Sequence, residues 1–112
     1  MTFIVKLLIS AIAVYLTAEL LPGIVVTGFI SAIFVALVLA LLNTFLKPLL
    51  VVLTIPVTVF TLGIFLLFIN GAVIMLAGWM LDDFTVTSIW WAIGFSLIQS
   101  FLNALLGSLI EG

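Results

Sequence analysis

The chain has 112 residues, 68% hydrophobic and 5% charged, with two lysines, four acidic residues and a formal net charge of −2. A soluble domain is about 45–50% apolar and about 25% charged, so this sequence cannot coat a water-facing surface, and lipid is its natural solvent. The absence of Cys and His excludes disulfides, thiol chemistry and the usual zinc sites, and the weak negative charge gives no reason to expect nucleic-acid binding.

Without water, every backbone N–H and C=O needs a partner inside the protein, which leaves helices or a closed barrel. Barrel strands alternate apolar and polar residues. Ile33–Leu42 (IFVALVLALL) does not, so the expected fold is all-α: a polytopic membrane protein of four transmembrane helices in one domain over residues 1–112.

The first span is expected over Phe3–Leu21, closed by Pro22-Gly23. Lys6 before an apolar stretch resembles the start of a signal peptide, but a cleavage after Ala18 would place Leu16 where a small residue is needed, so the segment is read as a permanent span. The second span is expected over Gly28–Leu46, closed by Lys47-Pro48. Pro48–Thr61 (PLLVVLTIPVTVFT) follows, apolar but too short to cross alone. It reads as an interfacial helix or a re-entrant piece, with a bent extension of span two as the competing reading. The third span is expected over Leu62–Leu81, closed by Asp82-Asp83, and the fourth over Ser88–Ile110. Lys6 and Lys47 fall on the side that holds the N-terminus, whereas Pro22–Thr27 and Asp82–Thr87 have no basic residue. The positive-inside rule then places both termini in the cytoplasm. Trp79, Trp90 and Trp91 flank the outer Asp82–Thr87 loop, as an aromatic belt would.

Shifted by 60 residues, the chain lies on itself. Leu21 meets Leu81, Val26-Thr27 meets Val86-Thr87, Ala32-Ile33 meets Ala92-Ile93, and Leu42-Asn43 meets Leu102-Asn103. Fourteen of the 49 pairs between residues 4–52 and 64–112 are identical, against about five from composition alone. The excess points to two parallel tandem repeats of two helices, related by a pseudo-twofold axis along the membrane normal. Small residues recur every four positions at Ala32, Ala36, Ala40 and Thr44, and again at Ala92, Ser96, Ser100 and Ala104. Such rows let backbones approach closely in lipid. They are expected to bring spans two and four face to face, or to face a second copy.

Intramembrane polar groups are Asn70, Gln99 and Asn103, with Asn43 as the repeat partner of Asn103. Interhelical hydrogen bonding suits them better than a polar path, because amides do not titrate. Glu19 lies near the outer end of span one, where a carboxylate serves as an interface anchor; deeper in the membrane it would suggest proton coupling. Asp82-Asp83 reads as a solvated turn, not a metal site. The sequence carries no Ser/His/Asp set, no phosphate-cradling glycine loop and no H-E-x-x-H. No catalytic residue, cofactor or metal is expected, and the chain is read as non-enzymatic.

The stretch Asn43–Asn70 (NTFLKPLLVVLTIPVTVFTLGIFLLFIN) is the most distinctive. It resembles the bacterial phage holin family of four-span membrane proteins, the superfamily IV holins, in Asn43, Lys47, Pro48, Pro56, Thr61-Leu62-Gly63, Phe65 and Ile69-Asn70. The resemblance implies a small inner-membrane protein, oligomeric in lipid, that alters membrane permeability or serves as an accessory or scaffold. Its partners would be the lipid bilayer and a second copy or another membrane protein. The alternative is a small proton-coupled transporter using Glu19.

Overall fold

The computed structural model describes residues 2–111, with side chains through residue 110. It is largely helical: α1 (Phe3–Leu20), α2 (Phe29–Leu41), α3 (Lys47–Leu53), α4 (Ile55–Phe60), α5 (Phe65–Met80) and α6 (Ile89–Glu111), with two short strands, β1 (Ile24–Val26) and β2 (Phe84–Val86). Three helical stretches are long and apolar enough to cross a membrane: Phe3–Leu20, Phe29–Leu53 and Ile89–Ile110. The fourth apolar helix, α5, has 16 residues, or about 24 Å at the helical rise.

The helix expected to stop at Lys47-Pro48 continues. Phe29–Leu53 runs through 25 residues, joined between α2 and α3 by a π turn over Leu42–Leu46, with Lys47 N–H donating to the Leu42 carbonyl. An interior proline lacks its own donor and drives its ring into the carbonyl four residues back, here that of Thr44. A π turn widens the helix where that clash would fall, so Pro48 is absorbed and the helix runs on to Leu53. The break comes at Thr54 (φ −108°, ψ 12°), two residues before Pro56. There the Thr54 hydroxyl donates to the Leu50 carbonyl at 2.7 Å.

Leu62 and Gly63 lie outside the third helix, in the turn that precedes it. α4 closes in a Schellman motif, with Gly63 N–H donating to Thr58 O at 2.8 Å and Leu62 N–H to Val59 O at 3.1 Å. Both residues take positive φ, 58° and 89°, and α5 begins only at Phe65.

α1 packs on α2 and α6, and α5 packs on α6, α2 and α3. α2 and α6 sit diagonally and are not packing neighbours, so the two small-residue rows do not meet as expected. Their first members, Ala32, Ala36, Ala92 and Ser96, are buried in the common core, where α1 and α5 separate the two helices. Ala40 is half-buried, and Thr44, Ser100 and Ala104 are exposed.

Burial recurs along the chain. On α1 the buried residues are Ile9, Ala11, Ala13, Val14 and Thr17; on α5 they are Ile69, Gly71, Val73, Ile74 and Ala77, each 60 positions later. The strands pair antiparallel, with Val25 opposite Thr85 at the centre, again 60 apart. The ladder is extended reciprocally: Thr27 N–H donates to Asp83 O at 3.2 Å and Thr87 N–H to Gly23 O at 3.1 Å. Gly23 is buried beneath Trp91, and a Cβ there would stand 2.2 Å from the indole ring. Sixty residues away the corresponding positions hold Asp83 and Ser31.

Two stability changes are expected in detergent-solubilised protein. Leu62→Gly removes the strain of an L side chain in the left-handed region, about 1–2 kcal/mol, and Leu62 is 92% exposed, so the midpoint of unfolding rises. Gly23→Ala overpacks the Trp91 contact and lowers stability by about 1–3 kcal/mol. A double-mutant cycle with Trp91→Ser shows the Gly23→Ala penalty largely relieved.

Candidate functional site at the two ends of the bundle

The two ends differ in chemistry. At the sheet end, the chain after each of α1 and α5 turns, runs briefly as a strand and re-enters as the next helix. Ile24 and Phe84 point from the strands into the core and are 2% and 1% exposed. The Phe84 ring lies 5.5 Å from that of Phe95 at 57°, and Phe95 is fully buried. These side chains fill the space between the helices beneath the sheet.

Flanking the sheet are two open clefts of about 250 and 360 Å³. The first includes Tyr15, Glu19, Pro22 and Ile24; the second includes the residues 60 positions on, Met75, Trp79, Asp82 and Phe84. Each cleft carries one carboxylate, but from different positions. Glu19, Asp82 and Asp83 are exposed, and among the described residues no three His, Cys, Asp or Glu side chains gather as metal ligands. Trp79 and Trp90 are exposed and Trp91 is half-buried, so the three tryptophans ring this end.

Away from the sheet lie both lysines. Lys6 lies in the first turns of α1 and, with Ile9, Ser10, Asn103 and Gly107, lines a pocket of about 220 Å³. Lys47, with Asn43, Pro48, Val51 and Val52, lines an open groove of about 590 Å³. Thus each asparagine of the repeat pair Asn43/Asn103 stands beside one of the two lysines. Asn43 is exposed on the π turn; Asn70, Gln99 and Asn103 are half-buried. Neither Asn70 nor Gln99 lines the lysine pockets.

The buried polar residues of the core are Thr17 and Ser96. Both are satisfied within their own helices, the Thr17 hydroxyl donating to Ala13 O at 2.6 Å and the Ser96 hydroxyl to Ile93 O at 2.9 Å. Of the resemblance motif, Pro48, Pro56, Thr61, Leu62 and Gly63 shape the passage from α2 to α5. The Thr61 hydroxyl donates to Val57 O at 2.9 Å and accepts from Phe65 N–H at 3.2 Å. Phe65 packs near Phe68, ring centroids 6.4 Å apart.

Sequence reasoning missed the strands and the plug they carry. The signal was present: Ile24 and Phe84 each stand two residues before a valine in the repeated Val-Thr dipeptide, alternating inward and outward. Two three-residue runs were too short to be read as anything but loop.

Comparison with known proteins agrees with this architecture. The family model described as Mycobacterial 4 TMS phage holin, superfamily IV, matches residues 1–105. The chain is 35% identical over 103 residues to the Uncharacterized membrane protein YvlD of Bacillus subtilis, covering 91% of this chain and 87% of that one. It is 35% identical over 111 residues to the Uncharacterized protein SCO3922 of Streptomyces coelicolor, covering 90% and 89%. No solved structure matches. With helices apolar enough to span a bilayer and a family match over nearly its whole length, the chain belongs to the four-span phage holin family of superfamily IV.

Proposed function

We propose that this holin-like protein acts in the bacterial inner membrane as an oligomeric assembly element, and that any change it makes in permeability arises between copies. The observation that carries this reading is the filled core: Ile24, Phe84 and Phe95 occupy the space under the sheet, and the amides are dispersed. A single chain of this form offers ions no wetted route.

Exposed small residues at the far ends of the rows, Thr44, Ser100 and Ala104, suit a second helix pressed close in lipid. The 60-residue recurrence of sequence, burial and strand pairing supports an origin by tandem duplication, with both hairpins entering the bilayer in the same sense. Both lysines lie away from the sheet, while Glu19, Asp82 and Asp83 lie beside it. That division supports cytoplasmic termini under the positive-inside rule. Exposed Glu19 fits an anchor at the interface better than a proton-coupled carboxylate.

The protein reconstituted into dye-loaded vesicles tests this. Leakage should be absent at one chain per vesicle and rise steeply with protein density, in step with cross-linked oligomers. Ala40→Leu with Ser100→Leu should lower both the oligomer fraction and the leak, while Glu19→Gln changes neither. Leakage proportional to protein from the lowest density would overturn the proposal. Oligomers without leakage at any density would leave the scaffold role alone standing.

A further inference from the structure

We propose that the pocket of Lys6, Ser10 and Asn103 binds the headgroup of an anionic phospholipid that bears free hydroxyls. This deepens the membrane reading above but does not depend on leakage or on oligomers.

The pocket lies between α1 and α6. Lys6 and Ser10 are four residues apart on one helix, and Asn103 and Gly107 are four apart on the other, so each pair shares a helix face. Among the described residues no carboxylate lines the pocket, and Lys6 is exposed. A phosphodiester anion is the partner such a cation takes at the edge of a bilayer.

The second observation is Asn103 Oδ1, which is buried with no hydrogen-bond partner among the described residues. A carbonyl oxygen can only accept, and acyl chains offer no donor. The terminal amide torsion is soft, so turning the amide about its Cβ–Cγ bond presents this oxygen to the pocket. Two donor types exist on phospholipid headgroups, ammonium and hydroxyl. The positive charge of Lys6 disfavours an ammonium beside it, and a hydroxyl carries no such penalty. Phosphate on Lys6 and a headgroup hydroxyl on Asn103 Oδ1, with Ser10 able to donate or accept alongside, gives the cation and the orphan acceptor a partner each. Gly107 leaves room for the glycerol moiety.

The Lys47 groove differs. Its Asn43 is exposed and is not left with a buried unpartnered acceptor, so Lys47 serves as a matched control for net charge.

The test uses the whole protein in neutral detergent micelles, titrated with phosphatidylglycerol, phosphatidic acid, phosphatidylcholine or inorganic phosphate. Retained lipid is read by native mass spectrometry and thermal stability by intrinsic fluorescence. Phosphatidylglycerol should be retained at one per chain and raise the melting temperature, with phosphatidic acid weaker and phosphatidylcholine weakest. Lys6→Gln should weaken retention about fivefold, and Lys47→Gln should leave it unchanged. Asn103→Leu should abolish the preference for phosphatidylglycerol over phosphatidic acid; Asn103→Ser is the milder variant if the first does not fold. Equal losses from Lys6→Gln and Lys47→Gln would overturn the site in favour of diffuse charge. Equal retention of the two anionic lipids by the unaltered protein would overturn the hydroxyl contact. The same stabilisation by inorganic phosphate would overturn a lipid ligand in favour of a free anion.

Discussion

Backbone hydrogen bonding in a medium without water is the constraint from which the rest of this structure follows. Helices meet it internally, so the difficulty falls on the segments that join them. At the sheet end the two returns solve the problem together. β1 and β2 form a ladder, and the two reciprocal bonds, Thr27 to Asp83 and Thr87 to Gly23, extend it at each end. A lone three-residue strand has no partner within its own hairpin. Each hairpin therefore completes the other, and the two halves of the chain form one domain.

That junction also decides what the middle of the molecule contains. Side chains alternate across a strand, so the residues flanking Val25 and Thr85 can point down between the helices. Ile24 and Phe84 do so and take up the space that four splayed helices leave beneath the sheet. Close packing then uses the small residues near the middle of the bundle: Ala11, Ala32, Ala36, Ala77 and Ala92 are all buried. In lipid, where no hydrophobic effect draws helices together, this close approach is the main source of cohesion. Larger residues at those positions would separate the helices and uncover the ladder above them.

Much of this was legible from residue types alone. The solvent, the helical class and the family could be read from composition and from the motif between Asn43 and Asn70, because lipid imposes a strong compositional rule and prolines impose strong local ones. The passage from α2 to α5 was legible only in part. Pro48 looks like a terminator in a linear reading, but a π turn lets the helix pass it, and the energy of that turn depends on neighbours that no local pattern encodes. Leu62 in the left-handed region was illegible for a similar reason: nothing about leucine announces positive φ, and the Schellman closure of α4 imposes it. The first members of the small-residue rows lie in the core, but α2 and α6 are not packing neighbours. Spacing gives the face of a helix, whereas the identity of the helix opposite is set by the global arrangement.

The comparison of the two halves says where function can reside. Positions that correspond across 60 residues share one pattern of burial: Ile9 and Ile69, Ala32 and Ala92, and Ile24 and Phe84 in the strands are all buried. At the ends, particular charged and aromatic positions differ between the halves. Glu19 corresponds to Trp79, Pro22 to Asp82, Gly23 to Asp83, Ser31 to Trp91, and Lys47 to Gly107. Packing demands the same shapes from both hairpins, because each presents the same face to the shared core. The ends carry no such demand, and there the halves have acquired different charges and rings. The core is filled, and its buried hydroxyls Thr17 and Ser96 bond within their own helices, so the charges and exposed rings are left to the ends and the lipid-facing rim. The Lys6 pocket belongs to that set: it forms where glycine in one half stands opposite a position that holds lysine in the other.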